Sequence, residues 1–129
     1  MGMGERMQIG EVAERTDLSL RTIRYYEEVG LVVPSSRSQG GFRLYTEPDI
    51  DRLNLIKKMK PLGFQLEEMR DLLAVLDPGP GAAPLTDDQR AQLRRYCDTA
   101  ERRCVELRAK LETAEQFAVT LRKSLKRAR

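Results

Sequence analysis

The chain has 129 residues and a mass of 14.8 kDa, a size typical of one domain or of one small domain with an appendage. Hydrophobic residues make up 40% and charged residues 33%, the mean hydropathy is −0.53, and the formal net charge is +3. No apolar run approaches the roughly 18 residues of a membrane span, and no signal peptide is recognisable, so we expect a cytoplasmic protein without a membrane partner. Histidine is absent and the two cysteines cannot build a disulfide framework, which argues against an enzyme and against a cofactor.

A segment rich in proline and glycine, Asp77 to Pro84, divides the chain. Its three prolines and two glycines can continue neither a helix nor a β ladder. We therefore expect an N-terminal domain at residues 1–76, a linker at 77–85 and a C-terminal helical segment at 86–129.

Two short helices joined by a tight turn are predicted near the N-terminus. The first ends near Arg15, Thr16-Asp17 forms the turn, and Ser19 caps a second helix from Leu20 to Val29. Gly30 suits the left-handed residue that often follows a helix. The apolar residues available for a shared core are Ile9, Val12, Leu18 and Ile23. This arrangement predicts a helix-turn-helix.

A short β-hairpin, or wing, is predicted next. The polar segment Ser35 to Gln39 is expected to be irregular. Gly40-Gly41 then precedes the alternating residues Phe42-Arg43-Leu44-Tyr45, a pattern typical of a hairpin turn and its second strand.

Two further helices complete the predicted N-terminal domain. Thr46 with Asp49 forms a capping box that starts a third helix, and a fourth helix spans about Gln65 to Leu76. The third helix is expected to end at Gly63. Its apolar stripe consists of Ile50, Leu53, Ile56, Met59 and Leu62.

One unbroken heptad pattern runs through the C-terminal segment. Thr86 and Gln89 repeat the capping-box pattern, and apolar residues then recur at spacings of four and three with no Gly or Pro among them. A narrow stripe of this length predicts a coiled coil, which needs a partner helix. The predicted dimer-interface residues are Leu93, Cys97, Ala100, Cys104, Leu107, Leu111, Ala114, Ala118, Leu121 and Leu125. The predicted fold is thus mainly α, a winged helix-turn-helix followed by a long coiled-coil helix.

The second predicted helix carries the residues best suited to bind a nucleic acid. With Ile23 turned inward, short polar groups lie at its N-terminus and arginines one turn on, a pattern that suits the major groove of DNA. A solvated amphipathic helix would show the same pattern, and Tyr26 fits the core equally well. Arg43 in the wing and Arg37 before it are further candidates for DNA contacts. The candidates on the second helix and at its cap are Ser19, Arg21, Thr22, Arg24, Tyr25 and Tyr26.

Six motifs follow one another in continuous order over about residues 7–76. They are Ile9-Gly10-Glu11-Val12-Ala13, Thr22-Ile23-Arg24-Tyr25-Tyr26-Glu27, Gly30-Leu31, Phe42-Arg43-Leu44-Tyr45, Leu62-Gly63-Phe64 and Leu66-Glu67-Glu68-Met69. Together they resemble the MerR family of bacterial transcription regulators. Asp17 is a departure, because the family often has glycine in this turn; aspartate tolerates a left-handed backbone better than most residues.

The resemblance implies a homodimer built on a long antiparallel coiled coil, with double-stranded promoter DNA as its ligand. It implies binding to a palindromic promoter site and control of transcription by bending and untwisting the spacer, with RNA polymerase as an indirect partner at the promoter. By position, Arg21, Arg24 and Tyr25 match the family's contacts on the recognition helix, and Arg43 and Tyr45 match its wing contacts. Three alternatives stay open at this point: a repressor that only occludes the promoter, a thiol- or metal-responsive regulator, and a coiled-coil adaptor that binds protein.

The two cysteines lie seven residues apart among the predicted dimer-interface residues of the long helix, which we call the seam. Cys97 and Cys104 fit this position as small hydrophobic residues, and packing is the interpretation we favour. Some members of the family sense metals through cysteines, so a thiol or metal switch through these two residues is the alternative.

Overall fold

Five α-helices and one short β-hairpin make up the part of the chain that the computed structural model describes, residues 6–34 and 36–128. The elements are α1 (Ile9–Thr16), α2 (Leu20–Glu28), β1 (Ser36–Arg37), β2 (Arg43–Leu44), α3 (Glu47–Met59), α4 (Leu66–Leu76) and α5 (Asp87–Arg127). The chain divides into two units between Pro84 and Leu85. Within the described ranges, no helix combines the length and the apolar character needed to cross a bilayer. The predicted mainly helical fold is confirmed.

The turn between α1 and α2 depends on one residue with a left-handed backbone. Asp17 has φ 59° and ψ 29°, which ends α1, and Ser19 then starts α2 by accepting a hydrogen bond from the backbone N–H of Thr22 at 3.0 Å. Val12 and Ile23 are fully buried between the two helices, as expected. Ile9 and Leu18, the other two predicted core residues, are only half-buried.

The hairpin forms where it was predicted, but its first strand includes residues that we expected to be irregular. Ser36 pairs with Leu44 and Arg37 pairs with Arg43 in an antiparallel ladder. The turn closes through Ser38, whose N–H donates to the carbonyl of Phe42 at 2.8 Å. The prediction of an irregular Ser35 to Gln39 segment was wrong for Ser36 and Arg37, because a polar strand at a sheet edge has no apolar alternation to reveal it.

A backbone bridge outside the hairpin fixes the wing to the start of the chain. The N–H and carbonyl groups of Met7 and Tyr45 exchange two hydrogen bonds, each 2.7 Å long. Both side chains are buried, Met7 at 2% and Tyr45 at 0% exposure. No local pattern predicts this pairing, since the two residues are distant in the chain.

The third helix is shorter than predicted. α3 starts at the expected capping box, in which the Asp49 carboxylate accepts from the N–H of Thr46 at 2.9 Å. It ends at Met59, and Lys60–Leu62 forms a 3-10 turn rather than a continuation of the helix. Pro61 explains the change, because proline has no N–H to continue the α-helical bonding. Gly63 closes the turn with φ 76°.

Basic side chains from α3 and α4 bind carbonyl groups at the end of α1 and in the segment that follows α2. Lys57 donates to the carbonyl of Thr16 at 2.5 Å, and Nε of Arg52 donates to the carbonyl of Leu31 at 2.6 Å. Arg70 of α4 donates to the carbonyl of Val29. Carbonyls at a helix C-terminus lack intrahelical partners and carry partial negative charge, so cations stabilise them.

The second unit consists of one long helix. α5 has 41 residues and spans about 60 Å at 1.5 Å per residue. The predicted capping box is present, with the N–H of Thr86 donating to Gln89 at 2.9 Å and the N–H of Gln89 donating to Thr86 at 3.1 Å. Its described residues include no buried side chain. The prediction of one long C-terminal helix is therefore confirmed.

A bidentate ion pair joins α1 to α3. The guanidinium of Arg15 donates to both carboxylate oxygens of Glu47, in one case over 2.8 Å. The hydrogen bond from Arg15 is the main reason why the pKa of Glu47 lies below its ordinary value of 4.5, and the pKa of Arg15 is raised in turn.

The pKa of Glu47 predicts a pH-dependent contribution to stability. A carboxyl whose pKa is lower in the folded chain stabilises the fold above its unfolded pKa and loses this contribution as it becomes protonated. We expect Glu47→Gln to lower the free energy of unfolding near pH 7, and the deficit to shrink as the pH falls below 4.5. Urea unfolding at several pH values measures both. Glu14→Gln in α1 is the control, and a deficit for Glu47→Gln that stays constant with pH would contradict the assignment.

Candidate nucleic-acid interface

The N-terminus of α2 is held by its cap. The Ser19 hydroxyl accepts from the N–H of Thr22 and donates to the Thr22 hydroxyl oxygen at 2.8 Å. Ser19 is exposed and Thr22 is half-buried. These two predicted contacts therefore lie at the accessible start of the helix.

The outer face of α2 carries two arginines that no acid neutralises within the described ranges. Arg21 and Arg24 are exposed, and neither takes part in an ion pair there. Tyr25 beside them is 49% exposed. A helix face with unpaired guanidinium groups and a phenol can bind phosphates and base edges.

Two tyrosines predicted as DNA contacts belong to the core. Tyr26 is 2% exposed and Tyr45 is 0% exposed, so the prediction that both lie at the binding surface was wrong. Tyr26 follows Ile23 by three residues and shares its inward face, and Tyr45 is fixed by its backbone pairing with Met7. Neither hydroxyl has a hydrogen-bond partner among the described residues.

The predicted wing arginine is bound by α2. Nε of Arg43 donates to Oε2 of Glu27 at 2.8 Å, and the Glu27 side chain is only 6% exposed while that of Arg43 is 38% exposed. Arg43 thus joins β2 to α2 and still presents part of its guanidinium to solvent. Arg37 is described by its backbone in β1, and its predicted side-chain contact lies outside the described part of the structure.

A shallow concavity of 170 Å³ lies between α2 and the wing. Arg24 and Arg43 contribute to its wall, so the structure brings these two predicted residues together. Phe42 also lines it and is 64% exposed, a position that sequence reasoning missed. Its place directly after a glycine turn was the available signal, because hairpin tips project from the fold. The remaining lining residues are Gln8, Ile9 and Gly41.

Most of the predicted seam of α5 is exposed in the single chain, whereas Leu93 and Ala100 are half-buried. Leu107, Leu111, Leu121 and Leu125 are each between 40% and 62% exposed. Cys97 and Cys104 are both free and exposed. Among the described residues, no group of three or more cysteine, aspartate or glutamate side chains is placed to hold a metal ion.

Comparison with known families agrees with this geometry. A family model described as MerR HTH family regulatory protein matches residues 7–76, and a model described as MerR, DNA binding matches residues 50–124. Each match covers more than half of the chain. The chain belongs to the MerR family of helix-turn-helix regulatory proteins.

Individual relatives cover different shares of the chain. The mercuric resistance operon regulatory protein of Bacillus cereus is 43% identical over 72 residues, which are 56% of this chain and 54% of that protein. The transcriptional regulator HmrR of Rhizobium leguminosarum bv. viciae is 39% identical over 103 residues, which are 79% of this chain and 78% of that protein. The chain thus spans about half the length of the first of these relatives.

The solved structures share the fold. A MerR-family transcriptional regulator from Bacillus cereus aligns with a TM-score of 0.63 and 26% sequence identity. The alignment covers 97% of this chain and 87% of that one. The likeness therefore extends over both units of the chain.

The buried partner of Arg43 leads to a stability prediction. Glu27→Gln removes the charge that faces Arg43, and we expect the free energy of unfolding to fall by about 1–2 kcal/mol because a hydrogen bond to a charged group is lost. Glu28→Gln makes the same substitution at the next, exposed position and should change stability by less than about 0.5 kcal/mol. Denaturant unfolding compares the two variants. Equal stabilities would show that the Glu27–Arg43 pair does not hold the wing.

Proposed function

We propose that this protein is a homodimeric transcription regulator that binds a palindromic site in double-stranded promoter DNA. The observation that carries the proposal is the outer face of α2, where Arg21 and Arg24 are exposed without an acidic partner in the described chain. Family membership supports it, because regulators of this family have the same helix-turn-helix. A protein with this target acts in the bacterial cytoplasm.

In the proposed complex, α2 enters the major groove and the wing follows the neighbouring backbone. Arg24 reads a base edge, most simply the O6 and N7 acceptors of guanine, with two parallel hydrogen bonds. Arg21, Tyr25 and the hydroxyls of Ser19 and Thr22 bind phosphates, which set the register of the protein on the duplex. These assignments follow from exposure and from the position of each side chain on the helix.

The wing adds contacts outside the major groove. Arg43 keeps its Nε on Glu27 and offers its terminal nitrogens to a phosphate. Arg37 lies opposite Arg43 in the hairpin and is a second candidate to bind a phosphate of the DNA backbone. The exposed ring of Phe42 is placed to pack against sugar atoms at the groove edge. The wing thus positions the protein, while α2 provides base discrimination.

Dimerisation through the seam of α5 brings together two copies of the N-terminal unit, each with its own α2 and wing. Two N-terminal units held by one rigid coiled coil can bind the two half-sites of a palindrome and deform the base pairs between them. The deformation costs on the order of 1–6 kcal/mol, which the additional contacts with DNA offset. We propose that this deformation of the promoter spacer is how the protein acts on RNA polymerase. Cys97 and Cys104 take part as seam residues.

A nuclease footprint on the DNA upstream of the protein's own gene tests the function. We expect a two-fold symmetric protected region between the two promoter elements, with a hypersensitive centre where the duplex is bent. Binding should weaken with salt by about 0.9 log units per log unit of salt for each phosphate neutralised. Protection that overlaps the promoter elements without a hypersensitive centre would favour simple occlusion. No protection at any salt concentration from an intact dimer would contradict DNA binding and favour the adaptor.

Replacement of Arg24 tests the readout on α2. We expect Arg24→Ala to weaken binding to the protected site by roughly 1–3 kcal/mol and to relax the preference at one base pair of each half-site. Titrations on a set of single-base variants of the site measure both effects. Lys58→Ala, which removes one positive charge from an exposed position of α3, is the control and should leave the base preference unchanged. A uniform loss on all sequences would assign Arg24 to a phosphate instead.

A further inference from the structure

The two ends of α5 differ in charge. Between Asp87 and Glu115 the helix has seven acidic and seven basic residues, so this part is balanced. From Gln116 to Arg127 it has four basic residues and no acidic one. The four basic residues are Arg122, Lys123, Lys126 and Arg127. The excess positive charge of α5 is therefore concentrated near its C-terminal end.

Three of these four cations lie away from the predicted seam. Lys123 lies midway between two seam residues, and in a heptad this is an outer position. Lys126 and Arg127 follow Leu125 by one and two residues and occupy the other two outer positions. Arg122 borders the seam instead. We call Lys123, Lys126 and Arg127 the basic end, and a helix that packs on the seam leaves it accessible.

The structure brings the basic end together around a shallow concavity. Its three residues line the concavity with Thr120, and the volume is 370 Å³. All four residues are exposed. Among the described residues, none of the three cations takes part in an ion pair, and only Arg127 donates a hydrogen bond, to the hydroxyl of Ser124 at 3.4 Å. The concavity therefore presents three cations to an external anion.

Stabilisation of the helix end accounts for only part of this cluster. The carbonyl groups at a helix C-terminus carry about half a negative elementary charge, and their effect falls off within the last turn. Lys126 and Arg127 lie in that turn, whereas Lys123 precedes it. Two cations already exceed the half charge that the carbonyl groups offer. The third cation, with no acid in the same part of the helix, indicates an external partner.

We propose that the basic end of α5 binds the phosphate backbone of double-stranded DNA, whatever its base sequence. Duplex DNA carries one negative charge per about 1.7 Å of its axis, so a length of about 5.4 Å, one turn of a protein helix, carries about three. The basic end supplies three cations within about one turn of α5. Lysine suits this ligand, because it binds phosphate as a point charge.

This site is additional to the promoter contacts proposed for α2 and the wing. Contacts to base edges carry sequence information, whereas contacts to phosphates alone carry none. The basic end therefore adds affinity for DNA of any sequence. It belongs to the second unit of the chain, so it does not depend on whether Arg24 reads a base.

A lipid surface matches the same residues less well. A helix that lies in a membrane interface inserts an apolar face next to its cationic face. From Thr120 to Arg127 the large apolar side chains are Leu121 and Leu125, and both belong to the seam. The proposed dimer therefore has no large apolar side chain to insert there. The basic end fits a ligand that offers charge alone, as the phosphate backbone does.

Chemical modification of lysines locates the contact in the unmodified protein. The protein is acetylated at low salt with and without a non-promoter duplex, and mass spectrometry measures the reactivity of each lysine. We expect a duplex of about 20 base pairs to lower the reactivity of Lys123 and Lys126 at least about threefold, and about 0.5 M salt to abolish this protection. Lys110, exposed in the balanced part of α5, is the internal control. Unchanged reactivity of Lys123 and Lys126 overturns the proposal.

Two other polyanions distinguish the class of partner. Phosphatidylserine vesicles and polyglutamate replace the duplex at the same concentration of negative charge. We expect both to protect Lys123 and Lys126 less than DNA does, because the vesicles gain no apolar contact and an extended polyglutamate has only one charge per about 3.3 Å. Protection by either one that equals protection by the duplex overturns the assignment to DNA.

Replacement of the two lysines measures the number of phosphate contacts. Lys123→Gln with Lys126→Gln should reduce the slope of log K against log salt for the same duplex by about 1.8, which is about 0.9 for each lost contact. Arg95→Gln with Arg102→Gln removes two cations from exposed positions in the balanced part of α5 and should leave the slope unchanged. Helix content by circular dichroism must be equal in all three proteins. An unchanged slope in the lysine variant, or an equal reduction in the control, overturns the proposal.

The proposed promoter function is judged by a separate result. The footprint and the base preference at the promoter site depend on α2, and we expect the lysine variant to keep both. A footprint without protection of the lysines overturns only the site at the basic end. Protection of the lysines without a footprint overturns only the proposed promoter function.

Discussion

The geometry of the helix-turn-helix depends on cations that bind carbonyl oxygens at helix ends. α1 and α2 are too short to be stable alone, since isolated helices below about 12 residues are marginal in water. Lys57 holds the end of α1, and Arg52 and Arg70 hold the segment that follows α2. These bonds satisfy backbone carbonyl groups that have no partner within the helices. The ends of these two short helices are thus held by residues of α3 and α4.

The same structure sorts the arginines of the first unit into two groups. Arg15 and Arg52 are held by carboxylates or carbonyls of distant elements, and Arg43 is held by Glu27. Arg21 and Arg24 have no such partner in the described ranges. A hydrogen bond within the fold occupies part of a guanidinium's five N–H donors, so Arg21 and Arg24 offer all of their donors to a phosphate or a base, and Arg43 offers those that Glu27 leaves.

Much of the fold could be predicted because its signals are local. The cap at Ser19, the left-handed Asp17 and the capping box at Thr46 each involve residues within three positions of one another, and the structure has all of them. The contacts that were missed join distant residues, as between Met7 and Tyr45. Pro61 is a local signal for the end of α3, but the apolar stripe continues to Leu62 and predicts a longer helix.

The sequence predicts which residues lie on α2, but not which of their side chains point to solvent and which point into the core. Tyr25 and Tyr26 are adjacent and chemically identical, yet one is exposed and the other buried, because only the rotation of α2 against its neighbours distinguishes them. On α5 that limit is absent. A long helix repeats every seven residues, so residue number alone assigns each charge to the seam, its border or the outer face. The interface residues of a coiled coil can therefore be inferred from the sequence. The binding surface of the N-terminal unit cannot, because it depends on how its helices pack.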